Sequence, residues 1–111
     1  MSVTLGVYKG KDYHSSEFVD DVPVSFQRVW NQVWNQALTE CKIHIFVDCH
    51  YFSISQIPKV LEELKRIYDW VQINGGKDTE YISWRIRDEL EPFLTQFYQE
   101  HKDEDYWFDL G

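Results

Sequence analysis

The stretch HIFVDCH, residues 44–50, gathers two histidines, a carboxylate and a cysteine. Two histidines and an aspartate are the donor set of a non-haem metal triad. Spacing restricts that chemistry. Ile43, Ile45, Val47 and Cys49 alternate with His44, Phe46, Asp48 and His50, which predicts a strand over 42–49. At about 3.3 Å per residue, Asp48 and His50 would stand roughly 6.6 Å apart and His44 about 13 Å from Asp48. Asp48 and His50 are therefore the candidate ligand pair of a small metal-dependent enzyme, with a third donor such as His14 required from elsewhere. No HExxH motif or zinc-type Cys/His spacing completes the set. Cys49 and His50 would point to opposite faces of a strand, so they make no nucleophile–base dyad. Cys49 falls in the apolar register, as a small buried hydrophobe.

The remaining candidates for catalysis are weaker. Cys41 ends a helical pattern with only Lys42 as a neighbouring cation, and Gly75-Gly76 ends a helix where a phosphate loop would precede one. Glu62-Glu63 and Asp88-Glu89 read as ordinary solvated helix faces and first turns. The expectation is a protein that is not an enzyme and uses no cofactor.

A different chemistry stands at the end of the chain, EHKDEDYWFDLG. Asp103, Glu104, Asp105 and Asp109 flank Tyr106, Trp107 and Phe108 in an acidic, aromatic segment over 102–111. From Asp88 onward eight acids face one base, a balance of −7, whereas the first 87 residues carry eleven acids and ten bases, a balance of −1. Such a surface repels phosphate backbones, which excludes direct nucleic-acid binding, and attracts a basic protein. Aromatic rings supply contact area at an interface centre, and carboxylates around them match a basic groove. Tyr98, Asp103, Glu104, Asp105, Tyr106, Trp107 and Asp109, with Asp88 and Glu89, are the candidate partner-binding residues. A final strand or clasp covering a sheet edge is the structural alternative for 106–108.

The elements that must position these groups follow from periodicity. Val3, Leu5 and Val7 predict a first strand, and KGKDYHSSEFVDDVP reads as a polar connection. Phe26, Val29, Trp30, Val33, Trp34, Ala37 and Leu38 form one helical stripe after a Ser25 cap, with both indoles packing inward. Ser53 and Gln56 have capping-box spacing ahead of a helix that tolerates Pro58 early and stops at Asn74-Gly75-Gly76. Over TEYISWRIR, Ile82, Trp84 and Ile86 alternate as in a strand, while Ile82, Ile86, Leu90 and Phe93 suit a helix. Pro92 argues for a break, so the reading is a strand over 80–87 and a helix from Asp88 to His101. The resulting fold is α+β: a three-stranded sheet with about three packing helices in β-α-β-α-β-α order. A length of 111 residues with 43% hydrophobic and 17% aromatic content suits one compact domain, 1–111. No secretory signal, membrane-length apolar run or cysteine framework is visible, which implies a cytoplasmic protein with reduced thiols and no membrane partner.

In format the chain resembles the small α+β immunity proteins that neutralise bacterial polymorphic or contact-dependent toxins. VLEELKRI at 60–67, SWRIRDEL at 83–90 with its W-x-I-x-D pattern, and the opening alternation of Val3, Leu5 and Val7 are similar to one such group. The resemblance implies one-to-one inhibition of a cognate toxin. A basic nuclease fits the acidic surface, whose carboxylates would occupy the place of nucleic-acid phosphates. A phage- or host-encoded inhibitor of another nucleic-acid-handling protein would carry the same surface.

Overall fold

Burying Val3, Leu5 and Val7 on one side makes the opening residues a strand, β1 (Ser2–Lys9). The computed structural model describes residues 2–111 and continues the chain as a hairpin into β2 (Glu17–Phe26). The polar connection expected over 9–24 is thus largely a strand. Its periodicity is hidden because two bulges, at Val3/Thr4 and Val7/Tyr8 of the pairing, shift the inward positions to Val22 and Val24. Edge placement also leaves Glu17 to Asp21 exposed. The bulges, Pro23 and the acids Glu17, Asp20 and Asp21 blunt this open edge against pairing with another strand.

Helix α1 occupies residues 27–40 and contains a π-helical stretch, Trp30–Trp34. The tandem VWNQ repeat stacks Trp30 on Trp34, ring centres 5.3 Å apart, and both are fully buried, as the stripe predicts. Ser25 does not cap this helix; it lies in β2 and its hydroxyl donates to the Phe26 carbonyl. Strand β3 (His50–Ser53) leads through a 3-10 turn into α2 (Ile57–Asn74), with the Ser53–Gln56 capping box formed and Pro58 in the first turn. The stop after Asn74 places Gly76 at φ 59°, the left-handed region that glycine enters most readily.

Residues 79–101 form one helix, α3, and not a strand followed by a helix. Ile82, Ile86, Leu90 and Leu94 are all fully buried at four-residue spacing, while Trp84 of the supposed alternation turns outward. Pro92 does not break the helix because Arg85–Leu90 is wound as a π-helix, in which the Glu91 N–H reaches the Ile86 carbonyl. The altered register ahead of Pro92 accommodates its missing donor. Strand β4 (Tyr106–Leu110) then returns between β1 and β3.

The sheet has four antiparallel strands in the order β2-β1-β4-β3, in place of three, and the chain order is β-β-α-β-α-α-β. All three helices share one hydrophobic core with the inner sheet face: Leu5, Val7, Phe52, Phe108 and Leu110 meet Trp34, Leu64, Ile67, Ile86 and Leu94.

The strand expected over 42–49 is a loop, for a specific reason. Glu63 of α2, only 4% exposed, accepts the backbone N–H groups of His44 at 2.9 Å, Ile45 at 3.2 Å and Phe46 at 2.9 Å. Three successive donors turned onto one carboxylate cannot serve a sheet ladder. Lys42 and Cys49, both left-handed with φ 55° and 56°, bound the loop. Ile43 and Phe46 are buried, whereas Cys49 is exposed and not the buried hydrophobe its register implies. Glu63 is likewise no solvated partner of Glu62.

Charge-assisted hydrogen bonds contribute about 1.5–3 kcal/mol each, and orphaned buried donors add a desolvation cost. Glu63→Ala should therefore lower unfolding free energy by about 3 kcal/mol or more in urea denaturation. Glu63→Gln, which keeps one acceptor oxygen, should fall between the two; an unchanged midpoint in both would mean that the loop is held by other contacts.

Candidate functional site

Successive residues of a strand point to opposite faces, so the same register that buries Val7 and Phe108 turns their neighbours outward. Gly6 pairs with Asp21 of β2 on one side and Asp109 of β4 on the other. Tyr8 likewise pairs with Phe18 and with Trp107. The outer sheet face, which no helix covers, thus carries a row of rings, Phe18-Tyr8-Trp107, beside a row reading Asp21-Gly6-Asp109-Tyr51. Phe18 is 58% exposed and Tyr51 40%.

The rings are organised. Tyr8 lies edge-on to both Phe18 and Tyr13 at 5.7 Å, and Trp107 edge-on to Tyr51 at 5.6 Å. The loop between β1 and β2 folds back so that Tyr13 stacks on Tyr51, with centres 4.1 Å apart and planes 2° from parallel. The Tyr13 hydroxyl donates to Asp109 Oδ2 at 2.5 Å, and the Trp107 indole donates to the Gly10 carbonyl at 3.1 Å. The hydrogen bond to Asp109, with burial and the carboxylate's charge, pushes the Tyr13 phenol from 10.0 up to about 12. Offset-stacked and edge-to-face pairs of this kind make a firm surface with few free rotamers.

Of the expected partner-binding residues, the fold brings some together and separates others. Trp107 and Asp109 are on the outer face, and Trp107 joins them to the turn Asp103-Glu104-Asp105, where the three acids are exposed beside Ser53 and Ser55. Within that turn Glu104 is already engaged: the His101 ring at 2.7 Å, and then Lys9 at 3.6 Å, hold its carboxyl below the usual range. Tyr106 instead faces inward, buried against Phe97 and His101, so it is not a surface contact. Tyr98 is half-buried against the core. Asp88 and Glu89 sit in mid-helix, with Glu89 paired to Arg85 at 3.6 Å. At 1.5 Å per residue Asp88 is about 20 Å from the C-terminal end of α3, so these two acids do not join the others in one patch. The expected clustering of eight carboxylates therefore does not occur.

Asp48 and His50 are both exposed, and among the described residues no three histidine, cysteine or acidic side chains converge as a metal site. The Asp48 carboxylate pushes the Cys49 thiol up, and burial does the same to Cys41, so neither is poised as a thiolate. Among the described residues no helix is long and apolar enough to cross a membrane. Tyr8, Tyr13, Phe18, Asp21 and Tyr51 were not singled out by sequence reasoning. The signal available was the aromatic content of the stretch VYKGKDYHSSEFVDD, three rings in a segment otherwise rich in turn residues.

The Tyr13–Asp109 contact is measurable. Its contribution to stability should be complete below pH 10 and lost as the pH rises from 10 toward 12, because the folded state holds the phenolic proton more tightly than the unfolded chain. Alkaline titration of phenolate absorbance should contain a component near pH 12 that disappears in Tyr13→Phe. Persistence of that component in the variant would assign it to another tyrosine. No family model, curated protein or solved structure matches this chain.

Proposed function

We propose that this chain is an immunity-type inhibitor that binds a basic protein toxin through the outer face of its sheet and performs no chemistry of its own. The observation that carries this reading is the uncovered face itself, where a row of packed rings lies beside carboxylates. Ordered aromatic side chains lose little conformational entropy on binding and are the residues that most often dominate interface energetics. Asp21, Asp109 and the turn acids Asp103 and Asp105 surround them, which favours a cationic partner and speeds its approach at low salt. A nuclease, whose phosphate-binding groove is basic, is the toxin class that best complements this face. The two cysteines are unpaired, which suits action in a reducing cytoplasm.

The test is co-purification with candidate basic toxin domains, nucleases first. Phe18→Ser and Tyr51→Ser should each weaken binding by about tenfold; Phe18→Ser should cost little thermal stability, whereas Tyr51→Ser also removes the stack on Tyr13 and should lower stability by about 1 kcal/mol. Affinity should fall steeply with salt for the wild type and less steeply when Asp103 and Asp105 become Asn. Neutralising Asp88 and Glu89, far along α3, should leave affinity as it is. Equal binding by the ring variants, with no salt dependence, would remove the proposal.

A further inference from the structure

Within the outer face lies a notch of about 250 Å³, lined by Gly6, Tyr8, Phe18, Asp21 and Asp109. Its geometry follows from strand pairing. Asp21 and Asp109 flank Gly6 from the two neighbouring strands, which puts their Cα atoms about 10 Å apart at the usual interstrand spacing. Gly6 contributes no side chain, so the space between the carboxylates is left to the Tyr8 ring, which leans across it; a Cβ on Gly6 would meet Tyr8 Cε1 at 3.0 Å. The notch is therefore lined by the Tyr8 and Phe18 rings, which lie edge-to-face 5.7 Å apart, and by the two carboxylates.

Among the described residues no ion pair reaches Asp21 or Asp109, although the chain's other acids make several. Tyr13 occupies Asp109 Oδ2, and among the described residues no donor reaches Oδ1. Two carboxylates without an ion-pair partner, set on either side of a ring, describe the complement of a planar cation. The ring's negative face attracts it by cation–π contact, and each carboxylate accepts N–H groups from opposite edges.

We propose that this notch is a receptor for one arginine side chain of the partner, seated flat on Tyr8 between Asp21 and Asp109. This rests on the binding-surface reading and adds to it the identity of the central contact. Lysine would fill the same place less well, since its ammonium cannot span both carboxylates. The Tyr13 hydroxyl, held on Oδ2, restrains the Asp109 carboxylate.

The test needs no partner protein. Protein labelled with ¹⁵N is titrated with Nα-acetyl-arginine methylamide and, as the neutral isostere, with Nα-acetyl-citrulline methylamide. Saturable amide shifts centred on Gly6, Tyr8, Asp21 and Asp109 are expected with the arginine probe, with the citrulline probe about tenfold weaker or silent. Asp21→Asn and Asp109→Asn, which keep shape, should each weaken the arginine response by about tenfold, and spectra of the variants report directly that the fold is intact. Shifts equal for the two probes, shifts elsewhere on the molecule, or an unaltered response in both Asn variants would overturn the proposal. A toxin that still binds, depends on Phe18 and Tyr51, and ignores Asp21→Asn and Asp109→Asn would sink the arginine receptor alone. Loss of all toxin binding alongside a normal arginine response would count against the toxin reading and leave the receptor standing.

Discussion

Phe108 is stacked on Phe52, ring centres 5.1 Å apart, and is met edge-on by Phe97 of α3 at 5.4 Å. That buried contact holds β4 in register between β1 and β3. A one-residue slip would turn Phe108 and Leu110 out and carry Asp109 into the core, where an unpaired carboxylate is strongly disfavoured. Register therefore has almost no freedom. Once it is set, Trp107 and Asp109 must lie on the outer face, opposite Tyr8 and Gly6. The outer face is thus the reverse side of a packing decision made in the core.

A second buried contact supports the first. Glu63 gathers the N–H groups of residues 44–46, holds the 43–47 loop against α2, and so sets where β3 begins. β3 is short, four residues, and it carries both Phe52 toward the core and Tyr51 toward the outer face. The Tyr13–Tyr51 stack and the Tyr13–Asp109 hydrogen bond then tie the β1–β2 loop across the same face. Loop, edge strand and central strand are each held by a polar group satisfied within the fold, which makes the outer face rigid enough to present a fixed pattern.

The charge of the molecule is distributed accordingly. The excess of acid from Asp88 onward is a fact of sequence, yet it does not make one surface. Arg85 and Arg87 pair with Glu89 and Glu91 along α3, and His101 and Lys9 engage Glu104. The carboxylates without such partners include Asp109 and, from a distant part of the chain, Asp21. Local acid density and available negative charge are therefore different quantities here. The second is the one a partner would sense.

Local patterning alone determined the α+β class, the inward faces of β1 and α1, the capping box at Ser53–Gln56 and the glycine stop after α2, because each depends on neighbours within a turn or two. It also contained both readings of residues 80–101; buried Ile82, Ile86, Leu90 and Leu94 decided for the helix, with the π-helical stretch absorbing Pro92. Residues 42–49 read as a strand because their alternation is real, but only a carboxylate from α2 could take their backbone donors. β2 was masked by its bulges and its edge position. The outer face lay beyond local reading altogether: Phe18, Tyr8, Trp107 and Tyr51 belong to four strands, and only hydrogen-bonded pairing of the two ends of the chain makes them neighbours.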